Sequence, residues 1–201
     1  DFAIVGSGPA GSIIANNLEN NKSFRIIESG NTNEQKYYSY NEIINSYKNA
    51  GVNITFGNSQ ISFVEANCVG GGSIINSGLF HKIPDILKKE WSTKYKLKID
   101  NLNSEEIYND IIKRLSIKKY LDSKHIPEAS RILEKGAKSI NFDCSETPRW
   151  VEYDNIKNIY RKRNVKLAYL NQNILKNNLI QNTEVLKIKK FNSVWNIYAK
   201  Q

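Results

Sequence analysis

The opening of the chain carries the clearest pattern of apolar and polar positions. Phe2-Ala3-Ile4-Val5 is a short continuous apolar run, as a strand buried on both faces requires. Gly6-Ser7-Gly8-Pro9-Ala10-Gly11 follows, then a predicted helix with Ile13, Ile14 and Leu18 near one face. Asn20-Asn21-Lys22 breaks that helix. Phe24-Arg25-Ile26-Ile27 reads as a second strand, with Glu28 at its end. Strand, helix and strand in this order imply a parallel pair and an α/β fold.

Further along, the pattern weakens and then changes. Residues 31–67 are polar and mixed around Gly51 and Gly57, and read as a long excursion. Residues 68–80 form a second glycine-rich segment, Cys68-Val69-Gly70-Gly71-Gly72-Ser73-Ile74-Ile75-Asn76-Ser77-Gly78-Leu79-Phe80. Residues 82–140 read as helical. Ser104-Glu105-Glu106 is a helix start, with Ile107, Ile111, Ile112 and Leu115 at helical spacing. A second helix is predicted from Pro127 to Ile140, with Ala129, Ile132, Leu133, Ala137 and Ile140 on one side. From residue 165 the period shortens. Leu179-Ile180, Glu184 to Ile188 and Ser193 to Tyr198 read as strands between Asn-rich turns.

The first glycine turn has a specific chemistry. Gly6 permits the tight turn, Gly8 lets a pyrophosphate lie against the backbone, and Gly11 lets helix and strand pack closely. The helix N-terminus offers free N–H groups and a partial positive charge to the phosphates. Glu28, 17 positions beyond Gly11, is placed to accept hydrogen bonds from ribose hydroxyls. An acid there disfavours a ribose 2′-phosphate. This motif alone leaves FAD and NAD both open.

Composition narrows the class. The 201 residues are 40% apolar, enough for one domain, or one domain and part of another. No stretch approaches the ~18 consecutive apolar residues of a membrane helix. The strand-like opening argues against a signal peptide, and the chain holds no Met, which places its natural start upstream. The formal charge is +9, in a sequence rich in Lys, Asn and Ile, three residues with AT-rich codons. Residues 151–201 hold ten Lys and Arg against three Asp and Glu, densest at Arg161-Lys162-Arg163. This reads as a solvated face, with steering of an anionic ligand as the alternative. No recognition motif accompanies the charge, so a nucleic-acid partner is not expected. Cys68 and Cys144 make no disulfide framework, and no metal-ligand cluster is visible. His81 and His125 read as surface or capping residues.

Together, Asp1 to Gly11, Glu28-Ser29-Gly30 and Val69 to Gly78 resemble the glucose–methanol–choline (GMC) oxidoreductases. In that family a GxGxxG turn and a ribose-binding Glu are followed by a GG-x-[ST]-x-x-N segment lying along the flavin. Asn178 to Ile188 resembles a further strand pair of the family. The resemblance implies a Rossmann-like FAD-binding fold, with a parallel sheet, a helical insert and a short β-meander. It implies cofactor contacts at Gly6, Ser7, Gly8, Pro9, Ala10 and Gly11, at Glu28 and Ser29, and at Gly70, Gly71, Ser73, Asn76, Ser77 and Gly78. Val185 is implied at the adenine. Ile75 stands where some members carry a His bonded covalently to FAD, so the flavin is expected to be non-covalent.

The implied reaction is oxidation of an alcohol by hydride transfer to flavin, with a small-molecule alcohol substrate and an electron acceptor as partners. The family's catalytic His lies near the C-terminus of a much longer chain. The expectation is an N-terminal fragment that binds FAD and supplies no catalytic residue, divided into FAD-binding residues 1–81, a mainly helical insert over 82–155, and a second FAD-binding segment over 156–201. Two alternatives stay open: another Rossmann-type flavoprotein of monooxygenase type, or a non-catalytic nucleotide-binding module.

Overall fold

The computed structural model describes residues 1–32, 39–99, 104–119 and 121–201. In chain order the elements are β1 (Phe2–Val5), α1 (Pro9–Leu18), β2 (Phe24–Ile27), α2 (Tyr40–Ser46), β3 (Asn53–Ile54), β4 (Ser62–Phe63) and α3 (Gly72–Ile75). Then come α4 (Asp85–Tyr95), α5 (Ser104–Arg114), β5 (Ile117–Lys118), α6 (Glu128–Ser139), β6 (Arg149–Asp154) and β7 (Ile159–Lys162). The chain closes with α7 (Val165–Tyr169), α8 (Gln172–Asn177), β8 (Leu179–Ile180), β9 (Glu184–Phe191) and β10 (Val194–Lys200). Two compact units result: Asp1–Ser77 with Asn164–Gln201, and Gly78–Arg163. The sequence expectation set the junctions after 81 and 155.

The first unit is built on a parallel sheet of order β1-β2-β8. Phe2 pairs with Phe24 and Val5 with Ile27, while Ile26 pairs with Leu179. Its core joins Ile4, Phe24 and Ile26 of the sheet to Ala15 of α1, Val69, and Leu170 and Ile174. Leu179-Ile180, read as part of a meander, is thus the third strand of the parallel sheet. Of the last three strands, β9 and β10 pair with each other as an antiparallel hairpin. The inward face of α1 also differs from the sequence reading. Ser12 and Ala15 are buried, whereas Ile14 is half exposed. Small residues face the sheet near the glycine turn, where Gly11 brings the helix in close, while Leu18 at the far end of α1 packs against the core as the sequence reading placed it.

Helices α7 and α8 occupy a stretch read as strands and turns. Asn164 accepts from the Leu167 N–H at 3.0 Å and Asn171 from the Ile174 N–H at 2.9 Å. These asparagines are N-caps, satisfying donors that an uncapped helix leaves orphaned.

The second unit holds α4, α5 and α6, as the helical reading expected, and also an antiparallel sheet of order β5-β6-β7 that it did not foresee. The β6–β7 turn closes on Asp154, which accepts from the Ile156 and Lys157 N–H groups, and on Asn158 at φ 53°. Helix α6 forms as predicted, but Ile132 and Leu133 on its apolar side remain exposed.

Candidate dinucleotide-binding site

The site begins where β1 stops. Gly6 adopts φ +86°, a conformation costly for any residue with a Cβ, and its N–H donates to the Ile27 carbonyl at 2.8 Å. A Cβ on Gly11 would stand 2.1 Å from the Gly6 carbonyl oxygen and 3.2 Å from Ile4 Cγ2. Gly11 therefore sets how closely α1 approaches the strand. Gly8 is the N-cap, in an extended conformation (φ −65°, ψ −173°), with Pro9 following at the first helical position. A Cβ on Gly8 would meet nothing within 4 Å. Open space thus faces the end of α1, where first-turn N–H groups have no intrahelical partner.

The second glycine segment packs onto the first. Gly70 and Gly71 both have positive φ, +99° and +54°. A Cβ on Gly71 would lie 2.7 Å from Gly8 Cα, so the two glycine backbones touch. Ser73 is buried at the start of α3, and its Oγ donates to the Gly70 carbonyl at 2.7 Å and accepts from the Val165 N–H at 3.1 Å. Asn76 caps the C-terminus of α3, and Asn76 and Ser77 are exposed. Ile75 is half-buried, and Gly78 opens the second unit.

Glu28 is buried at the end of β2. Its Oε2 accepts from both the N–H and the Oγ of Ser7, each at 2.7 Å. Its Oε1 accepts from the Gly30 N–H at 2.9 Å and makes a 3.4 Å contact with Ser29 Oγ, which also donates to Asn67 at 2.8 Å. A carboxylate has about four lone-pair positions. Oε2 uses two and Oε1 one at normal length, which leaves one acceptor position for an incoming hydroxyl.

A cleft of about 470 Å³ lies at the C-terminal ends of β1 and β2. Val5, Gly6, Ile27 and Ser29 line one side, with Thr183, Glu184 and Val185 beside them. Ligands of parallel α/β sheets bind at this end of the strands, and the volume falls in the range of cofactor pockets. The sequence reading anticipated Gly6, Ser29 and Val185. It missed Lys48, Asn49, Glu65 and Asn67, which complete the wall from the excursion. Lys48 pairs with Glu65 at 3.3 Å. The available signal was Gly30: a Cβ there would lie 2.2 Å from the Asn67 carbonyl carbon, so this glycine admits the backbone of 67–68 beside β2.

Cys68, next to this site, is buried, and burial pushes its thiol up to about 11, reinforced by the Glu28 charge against a bond from Ser46 and the charge of Lys166. A folded-state value above the ordinary one keeps the thiol protonated until pH rises toward 11. At pH 8 the thiolate, the reactive form, is about 0.1% of the population. Iodoacetamide at pH 8 should label Cys144, which is partly exposed, and leave Cys68 unmodified until the chain is unfolded; mass spectrometry of tryptic peptides checks this. His125, read as a surface or capping residue, is packed edge-on against Tyr153 and Tyr160 at 5.4 and 5.1 Å, with Nε2 buried. Among the described residues no cluster of His, Cys, Asp and Glu is arranged to hold a metal ion, and no helix is long and apolar enough to cross a membrane.

A strand, a glycine turn, a close-packed helix and a parallel strand ending in a buried acid define a Rossmann-like, nucleotide-binding protein. The profile of the GMC oxidoreductases matches residues 1–190, and the chain belongs to that family of FAD-containing flavoenzymes. Relatives include a long-chain-alcohol oxidase of Arabidopsis thaliana, 28% identical over 74% of this chain and 20% of that protein. An uncharacterized GMC-type oxidoreductase of Sinorhizobium fredii is 24% identical over 74% of this chain and 30% of its own length. The chain thus spans less than a third of these relatives. Pyridoxine 4-oxidase from Mesorbium loti has a similar fold, with a TM-score of 0.64 at 14% identity over 96% of this chain and 44% of the other.

Proposed function

We propose that this chain binds FAD non-covalently and serves an oxidoreductase that oxidises a CH–OH group by hydride transfer to the flavin. The observation that carries the reading is the contact of Gly71 with Gly8, which brings two glycine segments together beside the open end of α1. The residues present fit the cofactor. The space left by the absent Gly8 side chain admits a pyrophosphate to the N–H groups of Ala10 and Gly11, where the helix dipole favours an anion. Pro9 fixes the first turn and uses up no donor. The free acceptor position on Glu28, with Ser29 Oγ beside it, takes the ribose hydroxyls. Val185 and the cleft around it hold the adenine. Gly70 to Gly78, with Asn76, orients the flavin ring.

When bound, FAD supplies the hydride acceptor, and the protein's part is binding, orientation and exclusion of competing reactions. The alcohol oxidases among the relatives support a CH–OH donor, with an alcohol and an electron acceptor as partners. Ile75 offers no nucleophile for a covalent link.

The purified protein should keep added FAD through desalting, with flavin bands shifted from those of the free cofactor. Residues 1–201, which supply no catalytic residue, should not bleach the flavin anaerobically with any of a panel of long-chain and aromatic alcohols, whereas the whole protein should. Acid or heat denaturation should release all the FAD into the supernatant. Flavin that stays with the precipitated protein would contradict the non-covalent reading, and failure of any flavin spectrum to shift on mixing would sink the cofactor assignment.

A further inference from the structure

We infer that Ser7 is a positioning residue whose hydroxyl locks the second glycine segment onto the first, and that it does not itself contact the cofactor. The inference rests on the FAD-binding reading. Ser7 has no exposed surface. Its N–H is spent on Glu28 Oε2 at 2.7 Å. Its Oγ lies 2.7 Å from the same carboxylate oxygen and 3.2 Å from the Gly70 nitrogen. The direction of both bonds is fixed by chemistry: a carboxylate oxygen accepts and a backbone N–H donates, so the hydroxyl gives its one proton to Glu28 and accepts from Gly70. The Ser7 carbonyl accepts from Ser12 Oγ at 2.7 Å, and Ser12 is equally buried.

One hydroxyl therefore joins three parts of the chain that are distant in sequence. These are the turn after β1, the acid at the end of β2, and the glycine segment more than sixty positions on. Gly70 is gripped at both ends, its N–H by Ser7 and its carbonyl by Ser73. That grip holds Gly71 against Gly8 in the positive-φ conformation it adopts. It also aims Glu28, leaving its remaining acceptor position to the ribose. Ser7 acts on the cofactor only through these two neighbours.

The test uses Ser7→Ala and Ser7→Cys, the second keeping the volume but offering a weak donor. Hydrogen exchange followed by mass spectrometry reads the segment 69–76, and titration with FAD reads affinity. Both variants should speed exchange across 69–76 by about tenfold or more, as expected when a buried N–H loses its partner. Exchange in β1 and β2 should change little. FAD affinity should fall about tenfold, and the visible circular dichroism of the residual bound flavin should change shape. Unchanged exchange in Ser7→Ala, or parent-like behaviour of Ser7→Cys in both measurements, would overturn the inference, since volume alone would then suffice. Equal FAD affinity in parent and variants would overturn it while leaving the cofactor reading intact. A parent that binds no FAD would remove that reading, and the exchange result would still decide the coupling.

Discussion

Gly8→Val should fold as the parent does and lose FAD binding by about 100-fold or more. The two halves of this expectation come from one measurement. A Cβ on Gly8 would meet no atom within 4 Å, and the backbone there is extended (φ −65°, ψ −173°), a conformation open to any L-residue. Nothing inside the protein opposes the Cβ, so stability should change by less than about 1 kcal/mol. The space the side chain enters is the space assigned to the pyrophosphate. Two isopropyl methyls there hold the phosphates away from the N-terminus of α1. Each charge-assisted bond forgone is worth about 1.5–3 kcal/mol, and two of them account for the expected loss. Fluorescence titration with FAD, beside urea unfolding of the same variant, separates the effects. A folded Gly8→Val that binds FAD like the parent would remove the phosphate assignment.

Gly11→Ala should do the reverse and damage the fold itself. Its Cβ would be 2.1 Å from the Gly6 carbonyl oxygen, far inside van der Waals contact, and that atom belongs to backbone that cannot rotate away. Relief requires α1 to lift from β1. That opens the packing of Ala15 against Ile4 and Ile26, the centre of the apolar core. Overpacking commonly costs ~1–3 kcal/mol, and a clash against fixed backbone belongs at the upper end or beyond it, about 3–5 kcal/mol. The melting temperature should fall by roughly 10 °C for a chain of this size. Gly8→Ala, three residues earlier in the same turn, is the control and should melt with the parent. Thermal unfolding of the two alanine variants side by side decides the matter; equal melting temperatures would mean that the turn relaxes freely and that Gly11 does not set the helix distance.

The legible part of the chain is the part whose determinants are local. Phe2–Val5 and Phe24–Ile27 are strands at the predicted bounds because each is a short, mainly apolar run closed by breakers, with Arg25 the one polar residue in the second, and β1 and β2 pair in parallel because a helix intervenes. The glycines of the turn were readable for the same reason: φ of +86° at Gly6 and the missing space at Gly11 are demands on single residues. The helices over 104–114 and 128–139 followed from apolar spacing, and that over 85–95 lies within the stretch read as helical.

What depends on distant partners was decided by the tertiary structure. Asn164 and Asn171 look like turn residues until Leu167 and Ile174 supply the N–H groups that make them caps. Leu179-Ile180 carries no mark of direction. It becomes a parallel strand because the Ile26 N–H reaches the Asn178 carbonyl and the Glu28 N–H the Ile180 carbonyl, both at 2.8 Å. The wall of the cleft from Lys48 to Asn67 comes from a stretch without periodicity, held in place by the close approach at Gly30. Ser7 is the sharpest case. A serine between two glycines is one small polar residue in a motif, and only the fold sets a carboxylate and a buried N–H on either side of its hydroxyl. Periodicity and conformational demand are written in consecutive residues; hydrogen-bond partners separated by tens of positions are chosen by packing.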